Sequence, residues 1–135
     1  MPATQRAAVT ALRDLAAEGT RRLEVIRALA RLPEFVVPEL ASGLSAARVP
    51  ARIVTADALA AMRHPRASSE LARALRDEDA AVRGAAIAGF AKLGTHFVGR
   101  TIAAMRQNDP DEGVRRRADL ACLRHGWGTG HLSRT

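Results

Sequence analysis

The sequence predicts an all-α fold, in which eight helices form four helical hairpins that stack into a short right-handed solenoid. The first observation is periodic: apolar residues recur at helical spacing on both sides of a polar turn in residues 71–94. The second is a repeat, because comparable segments recur every thirty to thirty-two residues along the chain. The third is composition, since an alanine-rich chain with 3% aromatic residues favours closely packed helices.

The hairpin at residues 71–94 is the clearest unit. Its first apolar stripe is interrupted by Asp77-Glu78-Asp79, a second stripe follows, and Gly94 stands where a helix end tolerates positive φ. One arginine occupies the same register position near the start of each second helix: Arg22, Arg52, Arg83 and Arg115. A hairpin this short cannot bury its own apolar face, so the units are expected to stack on one another.

The first four helices are predicted over residues 3–17, 20–32, 34–45 and 50–63. Thr20 is expected to cap the second helix, and Pro38 predicts a kink or a late start in the third. The first helix is expected to cap the solenoid, with a polar outer face that includes Arg13. Its inward residues are predicted to be Ala8, Leu12, Leu15 and Ala16.

The last four helices are predicted over residues 68–76, 80–93, 96–107 and 113–125. Asp79 is expected to cap the sixth helix, and Asp109 the eighth, where Pro110 suits the first position and Glu112 completes a capping box. Residues 1–126 are therefore expected to form the repeat domain, and residues 127–135 a glycine-rich tail.

The pattern LxxALxDxDxxVRxxAxxxLxxLG in residues 71–94 resembles HEAT repeats, particularly the short HEAT-like repeat of the phycocyanobilin-lyase type. The resemblance implies that the second helices line the concave surface. It also implies that the register arginines pair with turn acids of a neighbouring repeat, here supplied by Asp77, Asp79, Asp109 and Asp111. These arginines are therefore expected to form a structural ladder rather than a binding site.

Positive charge concentrates on the second helices. Residues 20–32, 50–63, 80–93 and 113–125 carry a net +9, whereas the rest of the chain carries −2. Such a surface attracts acidic proteins or polyanions, although a solvated face without a partner would have the same charge. The candidate partner-binding residues outside the ladder are Arg27, Arg31, Arg63, Lys92, Arg116, Arg117 and Arg124. They predict an adaptor or scaffold that binds an acidic protein segment, with nucleic-acid backbone binding as the alternative.

Catalysis has little support in the sequence. There is no phosphate-binding glycine loop, nucleophile elbow or paired Cys/His metal spacing, so no enzyme, cofactor or metal site is expected. Cys122, the single cysteine, is in register with Phe90, so we expect it to be a core residue. A lone cysteine and the lack of a membrane-length apolar run favour a cytoplasmic protein. A DNA glycosylase is disfavoured, because the chain lacks the aromatic and acidic cleft residues of the HEAT-like alkylpurine glycosylases.

The C-terminal end presents a second possible interface. Leu120 and Leu123 correspond to Ala88 and Ala91 and make the eighth helix apolar on a second side, and Trp127 follows it. Either the tail folds back so that Trp127 covers both leucines, or another chain, identical or not, packs there. The second possibility would suit a structural subunit of a larger assembly. The sequence leaves the oligomeric state open.

Overall fold

A computed structural model describes residues 3–128 of the chain, with side chains from residue 6 onward. This part contains eight α-helices and no strand, which confirms the predicted all-α solenoid of four hairpins. The helices are α1 (Ala3–Ala17), α2 (Arg22–Ala30), α3 (Val37–Ala41), α4 (Val49–Met62), α5 (Pro65–Leu71), α6 (Ala80–Leu93), α7 (Gly99–Asn108) and α8 (Glu112–His125). Short 3₁₀ segments precede α3 and α7 (Glu34–Val36 and His96–Val98) and extend α3 and α5 (Ser42–Ser45 and Ala72–Arg76).

The second helices form one continuous layer, in which α2 packs on α4, α4 on α6, and α6 on α8. The odd-numbered helices contact one another far less and lie against the even-numbered layer. The core runs between the layers, and its largest fully buried side chains include Phe90, Leu59, Leu71 and Ile87. Each hairpin thus buries its apolar stripes against its neighbours, as the repeat predicts.

Prolines and a histidine set two helix starts. Pro38 occupies the second position of α3, so the predicted late start is confirmed. The predicted start of the fifth helix at Ser68 is wrong, because α5 begins at Pro65. Its N-cap is His64, whose Nδ1 accepts a hydrogen bond from the backbone N–H of Arg66 at 3.1 Å. A proline at the first helical position loses no helical hydrogen bond, which explains the earlier start.

Two predicted caps are wrong and one is confirmed. Thr20 does not cap α2, since Arg21 precedes that helix in the left-handed conformation and provides no side-chain cap. Asp109 does not cap α8, and the capping box with Glu112 does not form, because Asp111 is the N-cap and accepts the N–H of Val114 at 2.9 Å. Asp79 caps α6 as predicted, accepting the N–H of Ala81 at 2.8 Å.

The first helix is rotated relative to its predicted orientation. Val9 and Ala16 are buried, whereas Ala8 and Leu15, both predicted to face inward, are exposed. Arg13, assigned to the polar outer face, is only 8% exposed, and its guanidinium lies against Gly43 of the following hairpin. A Cβ at Gly43 would fall 2.6 Å from Arg13 Nη1, so the glycine makes room for the buried guanidinium.

Candidate binding groove on the second-helix face

The register arginines connect successive hairpins. Arg52 donates from Nε and Nη2 to the Asp77 carboxylate at 3.0 and 3.3 Å, and Arg83 donates in the same way to Asp109 at 2.9 and 3.0 Å. The remaining Nη1 of each arginine donates to two backbone carbonyls of the preceding turn. These bidentate pairs confirm the structural ladder in the middle of the solenoid, where Arg52 and Arg83 were expected to have a structural role.

The buried Asp109 carboxylate is the acidic centre of the ladder. Burial alone would raise the pKa of Asp109, but hydrogen bonds from Arg83 and from the N–H of Asp111 outweigh it and lower the pKa below the ordinary aspartate value. The hydrogen bond to Asp109 likewise raises the pKa of Arg83. Both groups therefore remain charged at neutral pH, and the ion pair needs the ionised carboxylate.

The lowered pKa of Asp109 predicts acid sensitivity. The stabilisation is fully present above the pKa of an unfolded aspartate, near pH 4, and is lost as the pH falls through the lower folded pKa. In urea titrations from pH 7 to pH 3, the free energy of unfolding should fall more in the wild type than in Asp109→Asn, because the variant has no carboxylate at position 109 to protonate. Equal pH dependence in the wild type and in Asp109→Asn would contradict this role of the carboxylate.

The ladder is incomplete at both ends. Arg22 reaches no turn acid and instead pairs with Asp57 of α4 at 2.8 Å. Arg115 donates from Nη1 to the backbone carbonyl of Asp109 at 2.7 Å and has no carboxylate partner within the described residues. Asp79 and Asp111, which were also predicted to pair with ladder arginines, cap helices instead.

The second-helix face contains a groove of about 530 Å³ between α2, α4 and α6. Apolar side chains contributed by all three helices form its floor: Leu23, Ile26, Ala60, Ala61, Ala88 and Leu93. Leu23 is 59% exposed although it is a large apolar residue. We name this cavity the α2–α6 groove. Its concave apolar floor is the type of surface that seats a side chain of a bound ligand.

Four cations line the α2–α6 groove, and three of them have no acidic partner among the described residues: Arg27 on α2, Arg63 at the end of α4, and Lys92 on α6. All three are among the candidates chosen from the sequence, and folding brings them together from three different repeats. The fourth lining cation, Arg22, is paired with the one lining carboxylate, Asp57. The lining therefore has a net charge of +3, and it offers hydrogen-bond donors to an anionic ligand.

Arg63 adopts the left-handed conformation, with φ 52° and ψ 39°, as the C-cap of α4. The corresponding residues at the ends of α6 and α8 are Gly94 and Gly126, which adopt this conformation without a Cβ penalty. An arginine thus occupies a position where the fold favours glycine. Backbone strain of this kind often accompanies a functional side chain.

Replacing Arg63 with glycine should stabilise the protein while weakening anion binding. Relief of the left-handed strain is worth roughly 1–2 kcal/mol, of which the flexibility of glycine in the unfolded chain cancels about half. Urea denaturation should show a gain of about 0.5–1 kcal/mol. Gly94→Ala, at the equivalent position of α6, is the matched control and should destabilise, since φ is 67° there and a new Cβ would lie 3.2 Å from His125. A loss of stability in Arg63→Gly would contradict the conclusion that the left-handed conformation of Arg63 is strained.

The other candidate cations lie outside the groove. Arg117 lines an adjoining hollow between α4, α6 and α8, where Arg22 and Arg117 are balanced by Asp57 and Asp111. Arg116 is exposed and pairs with Glu112 at 3.1 Å. Arg31 and Arg124 are exposed and line neither cavity. The basic face predicted from the sequence is therefore divided into a cationic groove, a neutral hollow and scattered surface arginines.

Trp127 does not cover the C-terminal leucines, and residues 129–135 of the predicted tail lie outside the described residues. Trp127 is buried, but its indole lies on Gly99, stacks on His125 at 4.7 Å between ring centroids, and approaches His96. Gly99 permits this contact, since a Cβ there would lie 2.7 Å from Trp127 Cδ1. Of the two alternatives for this end, the one in which Trp127 covers Leu120 and Leu123 is wrong, because these residues remain 62% and 71% exposed.

The part of the chain that the structure describes offers no reactive thiol, no metal site and no membrane-spanning helix. Cys122 is buried, and burial raises the pKa of its thiol, as suits a core residue. Among residues 6–128, no three His, Cys, Asp or Glu side chains converge as metal ligands would. None of the described helices has both the length and the apolar character needed to cross a membrane.

A comparison with known protein families agrees with the observed fold. The family of HEAT repeats matches residues 37–123, which is well over half of the chain. The chain therefore belongs to the HEAT-repeat family, whose members commonly act as protein-interaction scaffolds. The finer resemblance to phycocyanobilin-lyase-type repeats stays a prediction. No curated protein matches the sequence.

The apolar half of the groove could not be predicted from the sequence. Leu23 and Ile26 precede the matched segment in a hairpin whose repeat pattern is weak, so their opposition to Leu93 could not be inferred from spacing. The unusual position of Arg63 could have been recognised from the sequence, because Arg63 is in register with Gly94 and Gly126. A non-glycine residue at a recurrent C-cap glycine position is detectable from the spacing of the repeat.

Proposed function

We propose that this protein is a non-catalytic adaptor or scaffold that holds an acidic protein segment in the α2–α6 groove. The observation that supports this function is the convergence of Arg27, Arg63 and Lys92 around an apolar floor. Carboxylates of the segment accept hydrogen bonds from the three cations, and an apolar side chain of the segment contacts Leu23 and Ile26. This pairing of charge with an apolar anchor favours a peptide over a bare polyanion.

Nucleic acid is the less favoured ligand of the same face. Binding of single strands generally uses aromatic side chains on which bases stack. Within the described residues, the tryptophan is buried against α7, and no aromatic side chain lines the α2–α6 groove. Duplex binding relies on several phosphate contacts spread along a surface, whereas the adjoining hollow is electrically balanced.

Fluorescence anisotropy can test the proposed function with defined probes. The main probe is a short labelled peptide of alternating glutamate and leucine, and the controls replace either leucine with serine or glutamate with lysine. We expect binding of the glutamate–leucine peptide, weaker binding of the glutamate–serine peptide and no binding of the lysine peptide. Duplex DNA should compete poorly at physiological salt. Preferential binding of DNA, or equal binding of all three peptides, would overturn the proposal.

A further inference from the structure

The outer face of α8 has the register of a stacking surface that no hairpin covers in the described part of the chain. Leu123 is in register with Ala91, whose carbonyl oxygen accepts a hydrogen bond from the His125 ring of the next hairpin at 2.6 Å. Leu123 has no such neighbour and is 71% exposed. Arg115, in register with Arg52 and Arg83, is the ladder arginine without a carboxylate. The outer face of α8 thus has both features by which one hairpin contacts the next, an apolar residue and a ladder arginine.

The junctions inside the chain show which positions meet when one hairpin stacks on the next. A Cβ on Gly89 would contact Ala60 Cβ, which brings these positions of α4 and α6 together. A Cβ on Gly84 would lie 3.3 Å from Arg117 Cδ, which pairs their positions on α6 and α8. The third contact is the bidentate pair between Arg83 and the first turn residue of the next hairpin, Asp109.

We propose that a second copy of this chain docks its first hairpin on the outer face of α8, head to tail, using the same register. At the first position, Leu123 of α8 stands where Ala60 stands on α4, and Ala28 on α2 of the second copy stands where Gly89 stands on α6. An exposed leucine therefore meets an exposed alanine. At the second position, Arg116 of α8 stands where Gly84 stands on α6, and Glu24 on α2 of the second copy stands where Arg117 stands on α8. Opposite charges therefore meet. Charge and size are therefore complementary at both positions.

A carboxylate also lies in the turn that faces the ladder arginine, although two residues out of the ladder register: Asp109 stands six residues before Arg115, whereas Glu18 stands four residues before Arg22. Glu18 directly follows α1, just as Asp109 directly follows α7 and Asp77 follows the 3₁₀ extension of α5. The Glu18 carboxylate is exposed and has no hydrogen-bond or ion-pair partner within the described residues. Stacking of a second copy places the turn that contains Glu18 opposite Arg115, as the turn that contains Asp109 lies opposite Arg83. The existing pairs of Arg116 with Glu112 and of Glu24 with Arg21 are exposed, so exchanging them costs little.

A head-to-tail contact uses different surfaces on the two copies and leaves a free end on each. It therefore generates an open chain of copies rather than a closed dimer. In such a chain the second-helix layers of successive copies would continue one another and repeat the α2–α6 groove along the assembly. The inference does not rest on the proposed function, because none of its residues lines that groove.

Sedimentation velocity over a concentration series tests this contact with the full chain. The wild type should associate in a concentration-dependent manner. Arg116→Glu and Glu24→Arg should each weaken association by about tenfold or more, because like charges then face each other. An equimolar mixture of the two variants should associate again, since the glutamate introduced in one copy then faces the arginine introduced in the other. Restoration in the mixture also shows that both variants are folded.

Two further variants make the test specific. Leu123→Glu should remain monomeric, and Arg100→Glu, which changes an exposed arginine on α7, should associate like the wild type. A monomeric wild type at every concentration, or a mixture of Arg116→Glu and Glu24→Arg that stays monomeric, would overturn the proposal. Peptide binding by the α2–α6 groove is measured separately and should be unchanged in Leu123→Glu.

Discussion

Replacing Arg83 with alanine is expected to lower the free energy of unfolding by about 3–5 kcal/mol, the usual cost of removing one partner of a buried ion pair. The Asp109 side chain is only 4% exposed and would remain buried without its guanidinium partner. The carbonyls of Asp77 and Glu78 would lose their donor as well. Since a small domain is stable by roughly 5–15 kcal/mol, urea denaturation should show the loss clearly.

Arg116→Ala is the matched control for this prediction. Arg116 lies one position after the register arginine of its repeat, but its side chain is 71% exposed and pairs only with Glu112. Its removal should change stability by less than about 1 kcal/mol. A double-mutant cycle of Arg83→Ala with Asp109→Ala should be strongly non-additive. Equal melting temperatures for Arg83→Ala and Arg116→Ala would contradict the ladder assignment.

The second large effect is expected for the α2–α6 groove. The triple reversal Arg27→Glu/Arg63→Glu/Lys92→Glu should weaken binding of the glutamate–leucine peptide by about a hundredfold or more. Three attractive pairs, each worth roughly 0.5–1 kcal/mol at an exposed site, become repulsive, and the changes combine to about 3 kcal/mol or more. Anisotropy titrations at constant salt measure the ratio of dissociation constants directly.

A control with the same change in net charge separates the groove from general electrostatics. Arg48→Glu/Arg100→Glu/Arg124→Glu alters three exposed arginines that do not line the groove. This variant should bind within a few-fold of the wild type, with a modest loss from the altered long-range field. If both triple variants lose binding equally, the peptide is recognised by net charge alone, and the groove has no specific role.

The repeat determined how much of the fold could be predicted. Apolar spacing and the recurring arginines identified four hairpins, because stacking repeats share one pattern of burial. The caps were harder, since Asp109 and Asp111 are both good cap residues. Which of them caps α8 depends on Arg83, twenty-six residues earlier in the chain, which takes the Asp109 carboxylate for the ladder. Tertiary pairing of this kind is invisible to local propensity.

The candidate site was predictable in charge but not in shape. The excess of arginine on the second helices pointed to Arg27, Arg63 and Lys92, together with four other cations on the same helices. Only the packing of α2 on α4 and of α4 on α6 shows which of the seven surround one cavity. In the same way, a lone tryptophan between glycines was expected to gain by burial, but the sequence could not show that Gly99 provides the site of Trp127.

Mapping the bound peptide by amide-resonance NMR tests the central claim most directly. With the wild-type chain and the glutamate–leucine peptide, the largest shifts should fall on the groove residues, with Leu23, Ala61 and Lys92 as markers from three helices. Small or absent shifts are expected at Thr101 and Asn108, which line a separate hollow beside α7. Shifts centred on that hollow, or spread evenly over exposed arginines, would contradict a binding site in the α2–α6 groove.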